Sequence, residues 1–356
     1  MKTQIFHITD PEAQREEVQA AAEIIRRGGL LGIPTETVYG LAANALDEAA
    51  AAKIYAAKGR PSDNPLIAHI ADLSQMEKLV SEIPENALKL AEAFWPGPLT
   101  MILPKSDIVP YGTTGGLETV AIRMPSHPAA RKLLRESGIV LAAPSANTSG
   151  RPSPTRAEHV YEDLNGKIDM ILDDGPVGIG IESTIVDLSG EIPMILRPGF
   201  ITRGMMEKVI GEVSIDPAIL GENKDKNFRP KAPGMKYKHY APKGDLLLVS
   251  GEADKVVAKI KSLALEKLEK GFRVGIIATD ETKEQYRDMD ESRAVVMSIG
   301  TRRDEATIIH NLYDILRRMD GEEVSYIYSE SFGEGSRGQA IMNRLLKAAG
   351  HQQIYV

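Results

Sequence analysis

The sequence predicts an α/β protein in two parts: an N-terminal, twisted, strand-centred α+β or α/β domain and a smaller C-terminal domain with a parallel sheet. Three features carry this. Short apolar runs broken by Pro and Gly dominate residues 1–211, and strands outnumber helices there. Residues 212–243 are rich in Pro, Lys and Asn with little periodicity, the pattern of a linker or functional lid. Residues 244–356 alternate strand and helix, which requires a small parallel sheet flanked by helices.

In the first part, Ala20–Arg27 has the apolar spacing of a helix and ends at Gly28-Gly29. Leu30–Ile33 is a short apolar strand stopped by Pro34, and Glu48–Ala57 is Ala-rich and helical. Leu66–Ile70 and Leu99–Leu103 read as strands around helix Glu85–Phe94. Thr119–Arg123 and Ile139–Ala143 read as strands with helix Ala129–Glu136 between them. Met170–Leu172, Ser183–Asp187 and Met194–Arg197 supply three more. In the second part, strands Leu246–Val249, Val274–Ile277, Ala294–Ser298 and Val324–Tyr328 are separated or followed by helices Asp254–Lys270, Glu305–Arg318 and Gln339–Ala349. That order is Rossmann-like.

The composition narrows the chemistry. The chain of 356 residues is 42% hydrophobic and 26% charged, which excludes wholesale disorder. It has no Cys, which removes disulfides, Cys-based zinc sites, iron–sulfur clusters and a Cys nucleophile, and fits a reducing compartment. The opening MKTQIFHITDPEAQREE has no apolar core and is not a signal peptide. No apolar run approaches the roughly 20 residues that span a bilayer. A cytoplasmic protein without a membrane partner is expected. The net charge is −7, carried by residues 1–211. Within the neutral remainder, Arg229–Lys243 holds five basic residues and no acid. An acidic body exerts no general pull on nucleic acid, so that segment needs a local explanation.

One motif misleads. Gly333–Gly338 matches G-x-G-x-x-G, but the chain ends too soon for the following strand and ribose-binding acid, so a structural turn is expected. The informative signals are polar loops beside apolar strands. Pro34–Leu41 (PTETVYGL) places Thr35, Glu36 and Thr37 where a strand breaks; a ligand loop and a helix N-cap both fit. In Lys58–Leu66 (KGRPSDNPL), Lys58, Arg60, Ser62 and Asn64 form either a helix C-terminus or a rigid anion clamp. His69 follows, as a core histidine or a ligand. Arg123 ends a strand and needs an anion if buried, whether a structural carboxylate or a substrate. Ser145, Asn147 and Ser153 lie in a loop of small residues (APSANTSGRPS) whose backbone N–H groups could nest an anion. Ser183 and Arg197 repeat the pattern. Together these loops gather Lys58, Arg60, Arg123 and Arg197 with hydroxyls in one acidic domain, and a nucleoside triphosphate with a screening metal is the economical ligand.

PTETVYGL, KGRPSDNPL, PGPLT (Pro96–Thr100), AIRMP, APSAN with SGRPSPT, ESTIVD and LRPG, in this order, resemble the YrdC-like family, the threonylcarbamoyl-AMP synthases of tRNA modification. The likeness spans roughly Ile24 to Ile201. The segment ending Tyr240-Ala241-Pro242 and the domain after it look like the family's long form. The resemblance implies a twisted YrdC-like α/β domain (1–211) with a concave cavity, a linker or lid (212–243) and a C-terminal Rossmann-like domain (244–356).

The activity it implies is synthesis of L-threonylcarbamoyl-AMP and pyrophosphate from L-threonine, bicarbonate or CO₂, and ATP. The product would feed a downstream tRNA threonylcarbamoyl-transferase machinery acting at adenosine 37. By matching motif positions, Thr37, His69, Arg123 and Ser183 look like threonine contacts. Lys58, Arg60, Asn64, Thr119, Ser145, Ser153, Arg197 and Tyr237 look like ATP contacts, with Lys58 and Arg60 catalytic. Mg²⁺ would arrive with ATP and be held mainly by phosphates, with no dedicated protein ligands. The basic segment becomes a lid over the phosphates, and His69 is a candidate base by residue type alone. An RNA-binding module is the alternative, and a weak tRNA contact stays open. A related carbamoyltransferase of hydrogenase maturation carries a zinc-finger part that a chain without Cys lacks.

Overall fold

A computed structural model describes residues 2–217, 219, 231–233, 239–290, 292–333, 335 and 337–356. Two compact units form: residues 1–149, 153–178 and 182–237, and residues 150–152, 179–181 and 238–356.

The first unit begins with β1 (Gln4–His7), α1 (Arg15–Arg26), β2 (Leu31–Ile33), β3 (Gly40–Asn44), α2 (Glu48–Lys58) and β4 (Ile67–His69). It continues with α3 (Leu73–Leu79), α4 (Glu85–Phe94), β5 (Leu99–Pro104), α5 (Tyr111–Thr114), β6 (Thr119–Arg123), α6 (Pro128–Ser137) and β7 (Leu141–Ala142). It closes with α7 (Ala157–Leu164), β8 (Met170–Asp173), β9 (Thr184–Asp187), β10 (Met194–Arg197), α8 (Arg203–Ile210) and β11 (Ser214–Ile215). Its strands form one 11-stranded sheet in the order β1-β8-β2-β3-β7-β4-β6-β5-β9-β10-β11. Pairings are mixed: β4 runs parallel to β6 and β5 to β9, whereas β5–β6, β4–β7 and β9–β10 are antiparallel.

Local chemistry sets these elements. Asp47 caps α2 by accepting from Ala49 N (2.9 Å) and Ala50 N (3.3 Å), and Gly59 ends it at φ 62°. α6 starts with Pro128 in its first turn and ends at Gly138, φ 68°. α1 buries Val18, Ala21, Ala22, Ile24 and Ile25 in a core shared with Leu31, Ile33, Leu133 and Met170. On the other side, Ile54, Leu66, Leu90, Met101, Ile122 and Val186 are among the residues of a second core.

The second unit comprises β12 (Asp245–Ser250), α9 (Ala253–Glu269), β13 (Val274–Ala278), a 3₁₀ turn (Lys283–Tyr286), β14 (Ala294–Ser298), α10 (Glu305–Gly321), β15 (Tyr326–Glu330), α11 (Gly338–Ala348) and β16 (Gln353–Tyr355). Its five strands are all parallel, in the order β14-β13-β15-β12-β16. β15 therefore lies between β12 and β13, where the Rossmann order has the first two strands adjacent. The G-x-G-x-x-G segment is a turn into α11 whose anion is internal: Glu305 Oε2 accepts from Arg337 N at 2.9 Å. A Cβ on Gly335 would lie 2.0 Å from the Glu305 carboxylate, so a larger residue there would make that side chain swing aside.

The expected strand Ile139–Ala143 shrinks to Leu141–Ala142, because it pairs only briefly with β3 and β4 before Pro144. β3 has no counterpart in the sequence reading. Its GLAAN lacks β-branched residues, yet pairing on both edges makes it a strand. β15 lies two residues later than expected: α10 runs on to Gly321, Glu323 turns the chain at φ 54°, and polar Ser329 and Glu330 are buried in the strand.

Candidate active site

Register builds the site. Parallel pairing of β4 with β6 sets His69 opposite Arg123, and antiparallel pairing of β5 with β6 sets Thr100 opposite Arg123. β5 beside β9 sets Leu99 opposite Thr184, bringing Ser183 to Thr100 at 2.7 Å between hydroxyl oxygens. The bends between β2 and β3 add Thr35, Glu36 and Thr37. That loop leads into a strand, so the helix N-cap reading of this motif fails.

Arg123 is 4% exposed. Its Nη1 donates to Thr37 Oγ1 at 2.9 Å, Nε reaches the Gly97 carbonyl at 3.4 Å, and Nη2 lies 2.6 Å from Glu36 Oε1. Thr37 Oγ1 also meets Thr35 Oγ1 at 2.9 Å. Burial drives the Glu36 carboxyl upward, but the Arg123 guanidinium and the nearby backbone N–H groups of Glu36 and Ser126 outweigh it and hold the group below its ordinary value. His69 is buried, and its pKa falls to about 3 because burial and then the Arg123 charge disfavour imidazolium. Its Nδ1 is 3.0 Å from the Ile67 carbonyl, which favours the Nδ1–H tautomer and leaves Nε2 as an acceptor. A neutral ring of such low basicity is a poor general base near neutrality, which corrects that expectation.

On the far side of Thr100, Arg197 Nε and Nη2 donate to the Ser183 carbonyl (3.1 and 3.0 Å), and Nη2 also to Ser183 Oγ (3.2 Å). Nη1 reaches the Pro233 carbonyl at 3.4 Å. Ala232 is fully buried against Ile67, Ile102, Ala121, Ile185 and Leu196, and Lys231 faces Asp187 at 3.5 Å. Residues 231–233 of the basic segment are thus pinned to the sheet that carries the cluster. Ser153 Oγ donates to Glu182 Oε1 at 2.5 Å, one residue from Ser183.

A second group lies where α2 ends. Lys58 is 2% exposed, and its Nζ donates to the carbonyls of Ser145 and Asn147 and to Asn147 Oδ1 (3.4 Å). Arg60 holds the carbonyls of Asn64 (Nε, 3.2 Å) and Pro65 (Nη2, 2.9 Å). Asn64 Oδ1 is buried with no hydrogen-bond donor. Three backbone amides of the expected nest are committed internally: Ala146 N donates to the Tyr39 carbonyl, Thr148 N to Asp163 and Ser149 N to the Lys58 carbonyl. Thr119 opens β6 opposite Pro104, about 13 Å along the strand from Arg123 at roughly 3.3 Å per residue. Tyr237 lies outside the described residues.

The structure therefore joins Thr37, His69, Arg123, Ser183 and Arg197 in one cluster, with Ser153 attached through Glu182. It places Lys58, Arg60, Asn64 and Ser145 in a second group and Thr119 apart. Thr100 and Glu182 were not singled out from sequence, although each stands in a quoted motif. The first cluster offers a buried guanidinium, a carboxylate, hydroxyls and a neutral imidazole, a set suited to a small polar molecule carrying a carboxylate. The second offers cations and amides that suit a polyanion. No helix among the described residues is long and apolar enough to cross a membrane.

Known proteins resemble this chain in sequence and fold. The family profile for the Sua5, YciO and YrdC proteins, described as telomere recombination, matches residues 23–199, and that for the threonylcarbamoyl-AMP synthase C-terminal domain matches 201–350. Threonylcarbamoyl-AMP synthase of Pyrococcus abyssi is 50% identical over 340 residues, covering 96% of each chain. That of Bacillus subtilis is 48% identical over 358 residues, covering 99% of this chain and all of its own. The crystal structure of Pyrococcus abyssi Sua5 complexed with L-threonine aligns over the full length of both chains with a TM-score of 0.91 and 47% identity. With both domain profiles and near-full-length relatives matched, the chain belongs to the threonylcarbamoyl-AMP synthase family, in the form that carries the additional C-terminal domain.

Proposed function

We infer that this protein makes L-threonylcarbamoyl-AMP and pyrophosphate from L-threonine, bicarbonate or CO₂, and ATP, the first step of threonylcarbamoyladenosine formation in tRNA. The observation that carries it is the buried Arg123–Thr37–His69–Ser183 cluster in a chain so similar to named synthases along its whole length. The threonine amine takes up CO₂ to give N-carboxy-threonine. One carbamate oxygen then bonds to the α-phosphorus of ATP as the bond from that phosphorus to the β-phosphate oxygen breaks, and pyrophosphate leaves with its electron pair.

We assign Thr37, His69, Arg123 and Ser183 to threonine. The Arg123 fork suits its carboxylate, and the neutral His69 ring can accept a hydrogen bond from its amine or hydroxyl. Lys58, Arg60, Asn64, Thr119, Ser145, Ser153, Arg197 and Tyr237 are assigned to ATP, with Lys58 and Arg60 easing negative charge as pyrophosphate departs. Lys58 also holds the Ser145–Asn147 loop in shape, so its role combines charge with positioning. Among the described residues no group of three or more His, Cys, Asp or Glu is arranged to hold a metal ion. Mg²⁺ is assigned to the triphosphate and water, where it would screen the phosphates. Residues 1–211 are read as catalytic, 212–243 as a linker and lid anchored by Ala232, and 244–356 as the C-terminal domain. We place the protein in the cytoplasm, handing its adenylate to a separate tRNA threonylcarbamoyl-transferase.

The test is pyrophosphate release from ATP and Mg²⁺, with and without bicarbonate and L-threonine, with L-serine as control. Release that requires both, with the adenylate seen by mass spectrometry, is expected. Folded protein that releases none under any condition overturns the assignment.

A further inference from the structure

One charge in the threonine cluster has no substrate group assigned to it. Arg123 is engaged along its fork by Gly97, Thr37 and Glu36. The Glu36 side chain is 13% exposed and both its carboxylate oxygens are shut off from solvent; Arg123 Nη2 at 2.6 Å and the backbone N–H groups of Glu36 and Ser126 lie near them, yet none meets a carboxylate oxygen in full hydrogen-bond geometry. A buried carboxylate ordinarily collects several donors, and one without them is costly. Residue 36 sits in the bends between β2 and β3, where its carboxylate is the anion facing the buried Arg123. Of the groups contacting Arg123, only Glu36 is anionic.

A guanidinium alone would welcome any carboxylate. With Glu36 beside it, the site presents opposite charges side by side, the complement of an α-amino acid, whose ammonium and carboxylate are also adjacent and opposite. A ligand with only a carboxylate would add a second anion next to Glu36 and leave the buried cluster with net negative charge. The ammonium of an amino acid removes that excess and supplies the donors the Glu36 oxygens lack.

Resting on the reading that this cluster binds L-threonine, we propose that Glu36 is a specificity-determining residue that receives the α-ammonium of the bound amino acid and rejects hydroxy acids of the same shape. The neutral His69 ring can accept a hydrogen bond but brings no charge to offset the ammonium, and Thr37, Thr100 and Ser183 carry none either.

Calorimetric titration of the full-length protein at pH 7 with L-threonine and with 2,3-dihydroxybutyrate, whose hydroxyl replaces the amine, tests this. Threonine should bind at least about tenfold more tightly to the wild-type chain. Equal affinities overturn the inference but leave the threonine site standing. In Glu36→Gln the ratio should collapse towards one through weaker threonine binding, with the hydroxy acid held as well or better. A folded Glu36→Gln protein that keeps the wild-type ratio also overturns it. If that variant does not fold, Glu36→Asp, which keeps the charge but withdraws it by one methylene, is measured in its place. A ratio reduced severalfold then supports the proposal and an unchanged ratio overturns it. Failure of the wild-type protein to bind threonine at all would refute the proposed function instead, so the two failures are distinct.

Discussion

Arg123 concentrates the residue-scale argument, because three of its nitrogens are aimed in fixed directions within 3.4 Å of their partners. A lysine keeps the charge but not the planar fork. Arg123→Lys should raise the threonine KM by roughly tenfold or more while moving the ATP KM little, as steady-state pyrophosphate assays would read; an unchanged threonine KM would remove Arg123 from the substrate. His69 yields a prediction about stability. The unfolded chain takes up a proton at this residue near its ordinary pKa of 6.5, whereas the folded chain does so only at about 3. Between those values the unfolded state binds more protons, so this contribution to stability is present above pH 6.5 and is lost as pH falls towards 3. His69→Gln should flatten the decline in urea midpoint across that window, and curves of equal slope would refute it. The motif residues themselves were legible because hydroxyls, amides and basic groups at the ends of apolar strands are conspicuous. Their partners were not. Glu36 and Thr100 gain meaning only from β6–β5 pairing and a loop crossing, which no local pattern encodes.

At the scale of elements, the end of α2 joins stability to the site. Gly59 is at φ 62° and ψ 36°, and a Cβ there would meet nothing within 4 Å. Substitution therefore isolates the backbone cost of a left-handed residue from any clash. Gly59→Ala should cost about 1 kcal/mol in chemical denaturation and Gly59→Asn less, since Asn tolerates this conformation. Equal stability of all three proteins would mean the turn relaxes to another conformation. This helix end was readable: Ala-rich periodicity, a basic last turn and Gly59 announce it. The loop it supports was readable only in part at the level of hydrogen bonds. The small residues from Ser145 to Ser149 suggested a nest of amides, and three of these, on Ala146, Thr148 and Ser149, go to Tyr39, Asp163 and Lys58. Composition shows that a backbone can approach something closely; which partner it finds depends on what packs alongside. For the same reason β3 was missed, its Gly and Ala residues being strand-forming only between β2 and β7.

For the molecule as a whole, the two-part organisation could be read from the change in periodicity near residue 244, and the net charge gives the final prediction. The protein carries −7, with 43 basic against 50 acidic side chains. The cations of the cluster are buried and engaged: Lys58 by carbonyls, Arg123 by Glu36 and Thr37, and Arg197 by Ser183. Nucleic-acid affinity that comes from phosphate neutralisation needs accessible cations and falls with salt in proportion to the number of contacts. A protein of net charge −7 whose site cations face inward should therefore hold tRNA feebly. In a fluorescence titration, tRNA binding should be weaker than about micromolar at low salt and lost by about 200 mM. Tight binding with a steep salt slope would make the RNA-binding reading primary and require an outward-facing basic surface. Weak binding favours release of the adenylate to a separate enzyme, because a protein that cannot retain the RNA cannot complete the transfer on it. On the proposed reading, buried charge would serve recognition of small anions, and the net negative charge would oppose the large polyanion.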